Sequence, residues 1–269
     1  MTVHSPCSRT CPRRFFPLLM LLAFSVGATS LPAVVLDWSQ VTWNTGSPSQ
    51  TFSDVQGSGI DISISTAISG GNYSSPIQDN GETLVLFPDW ASNYGNWSYI
   101  DVTIRFTRTV ANVSFSFEDM DRGNRASYWS TQFTWQDVIE QAYGWNDTTR
   151  IAPTATNIGS GVLVDTDSRP GDVLYRGNTN LNWSPDGSFT LNWEQPVDTI
   201  AFRYSSGSRA QSNPVAQVIG ISNISFHSAV PEAGTLWFGA LLLGALALRS
   251  LSFVSPLRKT QRTTVSENS

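Results

Sequence analysis

The sequence predicts an all-β protein: an antiparallel β-sandwich, jelly-roll-like, with an N-terminal signal peptide and one C-terminal transmembrane helix. Three observations predict it. Run after run alternates apolar and polar residues with period two, the mark of a strand with one buried face. Clusters of Gly, Asn, Asp and Pro separate the runs. Between the apolar ends of the 269-residue chain, helix signals are nearly absent.

The N-terminal end reads as a targeting segment. Arg13 and Arg14 precede an apolar run over 15–26, and small residues follow at Gly27 and Ala28. A charged region, an apolar region and a small-residue cleavage site make a signal peptide, so residues 1–28 are assigned to it. The run is short for a membrane span, which needs about 20 residues. Cys7, Cys11 and His4 leave with this segment. The remaining chain then has no thiol for a disulfide, nucleophile or metal. Only His227 is left for a triad or a zinc site, which argues against both.

Residues 29–229 form the β-domain. Between 29 and 230 stand nine arginines, no lysine and nineteen acidic residues, a net charge of −10. That balance excludes a nucleic-acid partner, which needs a basic surface. Residues 59–68 place Ile60, Ile62 and Ile64 on one face. Residues 99–107 put Ile100, Val102, Ile104 and Phe106 inward, with Asp101, Thr103, Arg105 and Thr107 outward. The pattern continues at Val113, Phe115 and Phe117, at Phe133 and Trp135, at Phe189, Leu191 and Trp193, and at Ile200, Phe202 and Tyr204. The last strand, 218–226, changes phase between Ile221 and Ile224, which predicts a β-bulge near Ser222 and Asn223. Short strands with turns between them point to a sandwich whose two inner faces make the core.

The C-terminal end begins with Val230-Pro231-Glu232-Ala233-Gly234-Thr235 and runs into an apolar stretch, 236–248, closed by Arg249. Pro231 suits the first turn of a helix and Glu232 its positive end. Residues 230–257 are read as this motif plus a transmembrane helix, and 258–269 as a basic and polar tail that stays cytoplasmic. The arrangement resembles the PEP-CTERM sorting signal, carried here by Val230, Pro231, Glu232, the apolar run and Arg249. The third motif residue is Ala233 rather than proline, and twenty residues follow Arg249. The resemblance implies an exosortase-like sorting enzyme and the inner membrane as partners. It also implies passage to the cell surface or extracellular matrix. The competing reading is a plain single-span anchor.

Within the domain, residues 117–124 close a strand with Glu118, Asp119 and Asp121, and Asp137 follows the next one. This is similar to a pattern in secreted bacterial jelly-roll domains, which implies a Ca²⁺ site built from these four residues. Hard oxygen ligands suit that ion at six to eight per site. The alternative is a turn in which Asp side chains cap backbone N–H groups. Residues 164–172 form a second acidic loop without EF-hand spacing.

Trp90, Tyr94, Trp97 and Trp129 lie in loop-like stretches and are candidates for stacking on sugar rings. Core packing is the other reading, and it is assigned outright to Trp135 and Trp193. No catalytic motif stands out. The sequence therefore points to a non-enzymatic exported protein with a structural or glycan-binding β-sandwich and a surface polysaccharide as a partner. The second hypothesis is a carbohydrate-active hydrolase using two of the carboxylates.

Overall fold

A computed structural model describes residues 32–71, 76–79, 81–90, 98–166, 173–181, 183–211, 214 and 217–229. The chain divides into units 1–30 and 31–269, and every described residue belongs to the second. The segments read as a signal peptide, as a sorting motif at Val230, Pro231, Glu232 and Arg249, and as a C-terminal helix lie outside the described residues, as do Tyr94 and Trp97. Among the described residues no helix is long and apolar enough to cross a membrane.

The architecture is all-β. Among the described residues fifteen strands, β1 to β15, join in one antiparallel hydrogen-bonded network, and the helical structure is two short 3₁₀ turns. The pivot is β6 (Tyr99–Glu118), a 20-residue strand. Its first half pairs with β3 (Ile62–Ser69) on one side and β13 (Val197–Ser206) on the other. Next to β3 lies β2 (Ser49–Phe52). Beyond β13 lie β7 (Asp137–Asn146), β8 (Thr149–Ile151), β11 (Val173–Gly177) and β10 (Val162–Thr166). The second half of β6 pairs with β12 (Phe189–Trp193), and through it with β9 (Thr154–Thr156). On its other side it meets β14 (Ile219–Ile221) and β15 (Ile224–Ser228). These strands carry β5 (Thr83–Leu86), β4 (Ile77–Asp79) and β1 (Val34–Leu36).

Asn112 explains how one strand serves both groups. It adopts φ 51°, a left-handed conformation that Asn tolerates better than most residues. The buried phase of β6 changes there, from Ile100, Val102, Ile104, Phe106 and Val110 to Val113, Phe115 and Phe117. The two strand groups face each other across a shared core, giving a β-sandwich-like fold. Phe202 of the first group meets Phe117 of the second at 4.8 Å between ring centres, and Phe115 at 6.1 Å. Trp193 stacks on Phe115 at 5.5 Å. Each such fully buried ring contributes about 1.5–3 kcal/mol by leaving water.

The bulge expected at Ser222 and Asn223 is present. Ser225 opposes Ser114 and Ile221 opposes Phe117, so the β14–β15 side carries one extra residue. The gap is used: Trp38 donates its N–H to Asn223 Oδ1 at 2.9 Å and its indole N–H to Ser222 O at 3.0 Å. One expectation fails. Phe133 and Trp135 do not form a regular strand; residues 122–136 are held by isolated bridges Arg122–Gln136, Arg125–Phe133 and Phe133–Ala210. Trp193 is core, but Trp135 is only half-buried, because its indole N–H is turned to a carboxylate.

Candidate functional site

Three of the four acidic candidates come together at the end of β6, but as a buried network. Asp119, Asp121 and Asp137 are 5 %, 6 % and 1 % exposed. Asp119 has φ 60°, so the segment is not extended, and its Oδ1 accepts the Trp183 N–H at 2.7 Å. Asp121 accepts from Trp135 Nε1 at 2.7 Å and from the Leu181 N–H at 3.1 Å. Asp137 accepts from Tyr204 Oη at 2.7 Å, Gln217 Nε2 at 2.9 Å and the Asp121 N–H at 3.1 Å. Burial pushes the Asp119 carboxyl up to about 6. Burial also raises Asp121, and raises Asp137 well above the usual range with help from the charge on Asp121.

These oxygens tie loop 119–121 and the Leu181 and Trp183 N–H groups to β7 and β13. They serve as caps for N–H groups, the alternative the sequence allowed. Among the described residues no group of three His, Cys, Asp or Glu is placed to hold a metal. Glu118 points elsewhere. With Asp119, Trp183 and Ser184 it lines a surface groove of about 310 Å³. Burial and the nearby charge of Glu82 raise its carboxyl.

The aromatic candidates divide. Trp90 is fully buried and packs edge-on against Tyr204 at 5.5 Å, so it belongs to the core and not to a sugar platform. Trp129 is 89 % exposed, and Tyr128, beside it, is 83 % exposed.

A second groove, of about 480 Å³, crosses the outer face of β6, β13, β7 and β8. That size is ordinary for a small-ligand site. Ala201 stands opposite both Thr103 and Tyr143, and its short side chain leaves a low floor. Tyr143 and Trp145 form one wall, their rings meeting edge-on at 6.1 Å. The Arg150 guanidinium lies over the Tyr143 ring, 3.0 Å from its centre. On the other side Arg203 grips Asp101 with Nε to Oδ1 at 2.7 Å and Nη2 to Oδ2 at 3.1 Å. It also sits 3.5 Å from the Tyr99 ring centre. Burial works against the charge of Arg203, and Asp101, together with Tyr99 and Glu140, more than offsets it. The Tyr143 hydroxyl is buried with no hydrogen-bond partner among the described residues. The site thus offers aromatic surface beside a charged fork, which suits a neutral polyhydroxyl ligand.

Sequence patterns placed Asp101 and Thr103 outward but missed the wall. Gln141, at φ 53°, puts one extra residue in β7 opposite β13. Period-two reading therefore breaks before it reaches Tyr143 and Trp145. No protein-family model, curated protein or solved structure matches the chain.

Proposed function

We propose that this chain is an exported, non-enzymatic surface or matrix protein whose jelly-roll-like β-sandwich binds a saccharide in the groove of Tyr143, Trp145, Arg150 and Arg203. The observation that carries the binding reading is the groove itself: a ring wall facing a fixed Arg203–Asp101 pair across a low Ala201 floor. Rings offer a sugar its apolar face, and the charged fork meets its hydroxyls. Export and sorting rest on the sequence at residues 1–28 and 230–257, with an exosortase-like enzyme, the inner membrane and a surface polysaccharide as partners.

A hydrolase would place two carboxylates about 5–9 Å apart across its cleft. The groove lining contributes one, Asp101, and Arg203 holds it in an ion pair. That favours binding over turnover.

The test is a glycan array probed with the purified protein and with Trp145→Ala. Binding of neutral glycans that drops about tenfold in the variant supports the reading. Equal binding by both proteins, or none by either, rejects it. Loss of the tail near Pro231 in the mature protein tests the sorting step.

A further inference from the structure

The charge of the domain is unevenly spread. Residues 122–136 and 199–229 contain no Asp or Glu. Between them these segments hold Arg122, Arg125, Arg203 and Arg209. Three of the four converge on Phe133. The Arg122 guanidinium lies 4.1 Å from the centre of its ring. Arg125 is bridged to its backbone. The Arg209 carbonyl accepts the Phe133 N–H at 2.8 Å. After burial, the positive charges of Arg125, Arg209 and Arg176 are what lower the Arg122 guanidinium. Arg125 and Arg209 are exposed, and among the described residues neither forms an ion pair. The carboxylates beneath them, Asp121 and Asp137, are buried and already hydrogen-bonded.

At the tip of the same segment stand Tyr128 and Trp129, 83 % and 89 % exposed, with ring centres 4.9 Å apart and planes at 88°. The segment is braced. Gly123 N–H bonds to Trp135 O at 3.0 Å, Thr134 N–H to Asn124 O at 2.9 Å, and Ala126 N–H to Gln132 O at 2.9 Å. A large ring pair on a rigid base, exposed to water, marks an interaction surface.

We infer that the Tyr128–Trp129 tip, with Arg122, Arg125 and Arg209 at its base, docks an anionic polysaccharide. Trp129 stacks on a sugar ring, and the guanidinium groups pair with uronate carboxylates or sulfate esters. Charge complementarity chooses an anion: this is a positive end on a domain of net charge −10. Strand register chooses a polymer over a membrane. β13 pairs Val197 with Val110, which also pairs with Ser228, the last residue of β15, while Ser206 at its other end pairs with Asp137, at the base of the arginine segment. Ten residues of strand separate the two ends by about 30 Å. A C-terminal anchor, taken from the proposed function, therefore leaves the domain at the end opposite the tip. The tip faces away from that membrane. This surface is separate from the Trp145 groove, and its ligand is charged where the groove's is neutral.

The experiment uses the full chain with polygalacturonate, heparin, dextran, phosphatidylglycerol vesicles and single-stranded DNA as probes. Arg125→Gln/Arg209→Gln and Trp129→Ala alter exposed side chains, so melting temperatures stay those of the parent. Polygalacturonate or heparin should bind at low salt, and each variant should weaken that binding about tenfold. The double variant should also lower the slope of log affinity against log salt. Dextran binding through the groove should be untouched, and Trp145→Ala should leave polyanion binding intact. Failure of the parent to bind either polyanion overturns the inference, as does equal binding by the variants. So does tighter binding to the vesicles or to the DNA than to both polysaccharides. Loss of dextran binding alone would count against the groove and not against the tip.

Discussion

The Tyr204 hydroxyl donates a 2.7 Å hydrogen bond to Oδ1 of Asp137, and both residues are at most 1 % exposed. The bond joins the inward face of β13 to the first residue of β7, and among the described residues it supplies one of two side-chain donors to that oxygen. Tyr204→Phe leaves Gln217 as the other and keeps the ring that packs on Trp90. The expected cost is about 1–3 kcal/mol. Thermal melts should show a midpoint lower by roughly 2–8 °C. An unchanged midpoint would show that the bond is not made.

The carboxyl network sets a direction for pH dependence. Asp119 is raised from an ordinary 3.8 to about 6 in the folded protein, and Asp121 and Asp137 shift the same way. Between those two values the folded state holds more protons than the unfolded one, so stability falls as pH rises through this window. Denaturation at pH 4.5 should therefore need more urea than at pH 7. The variant that isolates the effect is Asp119→Asn. Asn keeps an acceptor for the Trp183 N–H and tolerates the left-handed backbone at this position. Its stability curve should be flatter between pH 4 and 7 than the parent's. A curve parallel to the parent's would refute the assignment.

Calcium should leave the melting curve in place. The Asp119, Asp121 and Asp137 oxygens already accept N–H and O–H donors from the protein. Binding an ion there would cost those bonds. Scans in millimolar CaCl₂ and in chelator should superimpose. A midpoint raised by several degrees in calcium would restore the ion-binding reading of Glu118, Asp119, Asp121 and Asp137.

Gly177 is expected to tolerate no side chain. A Cβ there would stand 2.0 Å from the Asp121 carbonyl oxygen and 2.2 Å from its carbonyl carbon, both main chain. Backbone on that side is pinned, because the Asp121 carbonyl accepts the Asp137 N–H at 2.9 Å. Gly177→Ala should cost about 2–4 kcal/mol or abolish soluble expression. Gly46→Ala, with nothing within 4 Å but a positive φ, should cost only about 1 kcal/mol. Comparing the two separates a steric effect from a backbone one.

Strands with one apolar face were legible in the sequence because alternation is a direct record of a half-buried sheet. Ile60, Ile62 and Ile64, then Ile100 to Phe106, then Phe189 to Trp193 all fall on the buried side. β7 was not legible: seven of its ten residues are buried and a bulge at Gln141 breaks the period. β5 is buried at all four positions, so it has no polar face to alternate with. The site was harder still. Acidic residues after a strand look alike whether they bind an ion or cap N–H groups, and only the positions of Trp135, Leu181 and Trp183 decide. Trp90 looked like a loop aromatic because Pro88 and Asp89 precede it and the Asn- and Gly-bearing stretch 91–97 follows it. Its burial comes from Tyr204, more than a hundred residues away.

Because β6 belongs to both halves of the fold, it is fully paired only when the partners of both halves are in place. Its neighbours come from β3 upstream and from β12, β13, β14 and β15 far downstream. Long-range pairing of this kind slows folding to about milliseconds or seconds. Until residue 228 has emerged, the second half of β6 lacks β15 as a partner. Under the export proposed above, that delay leaves time for passage through a membrane before the shared strand locks the two strand groups together.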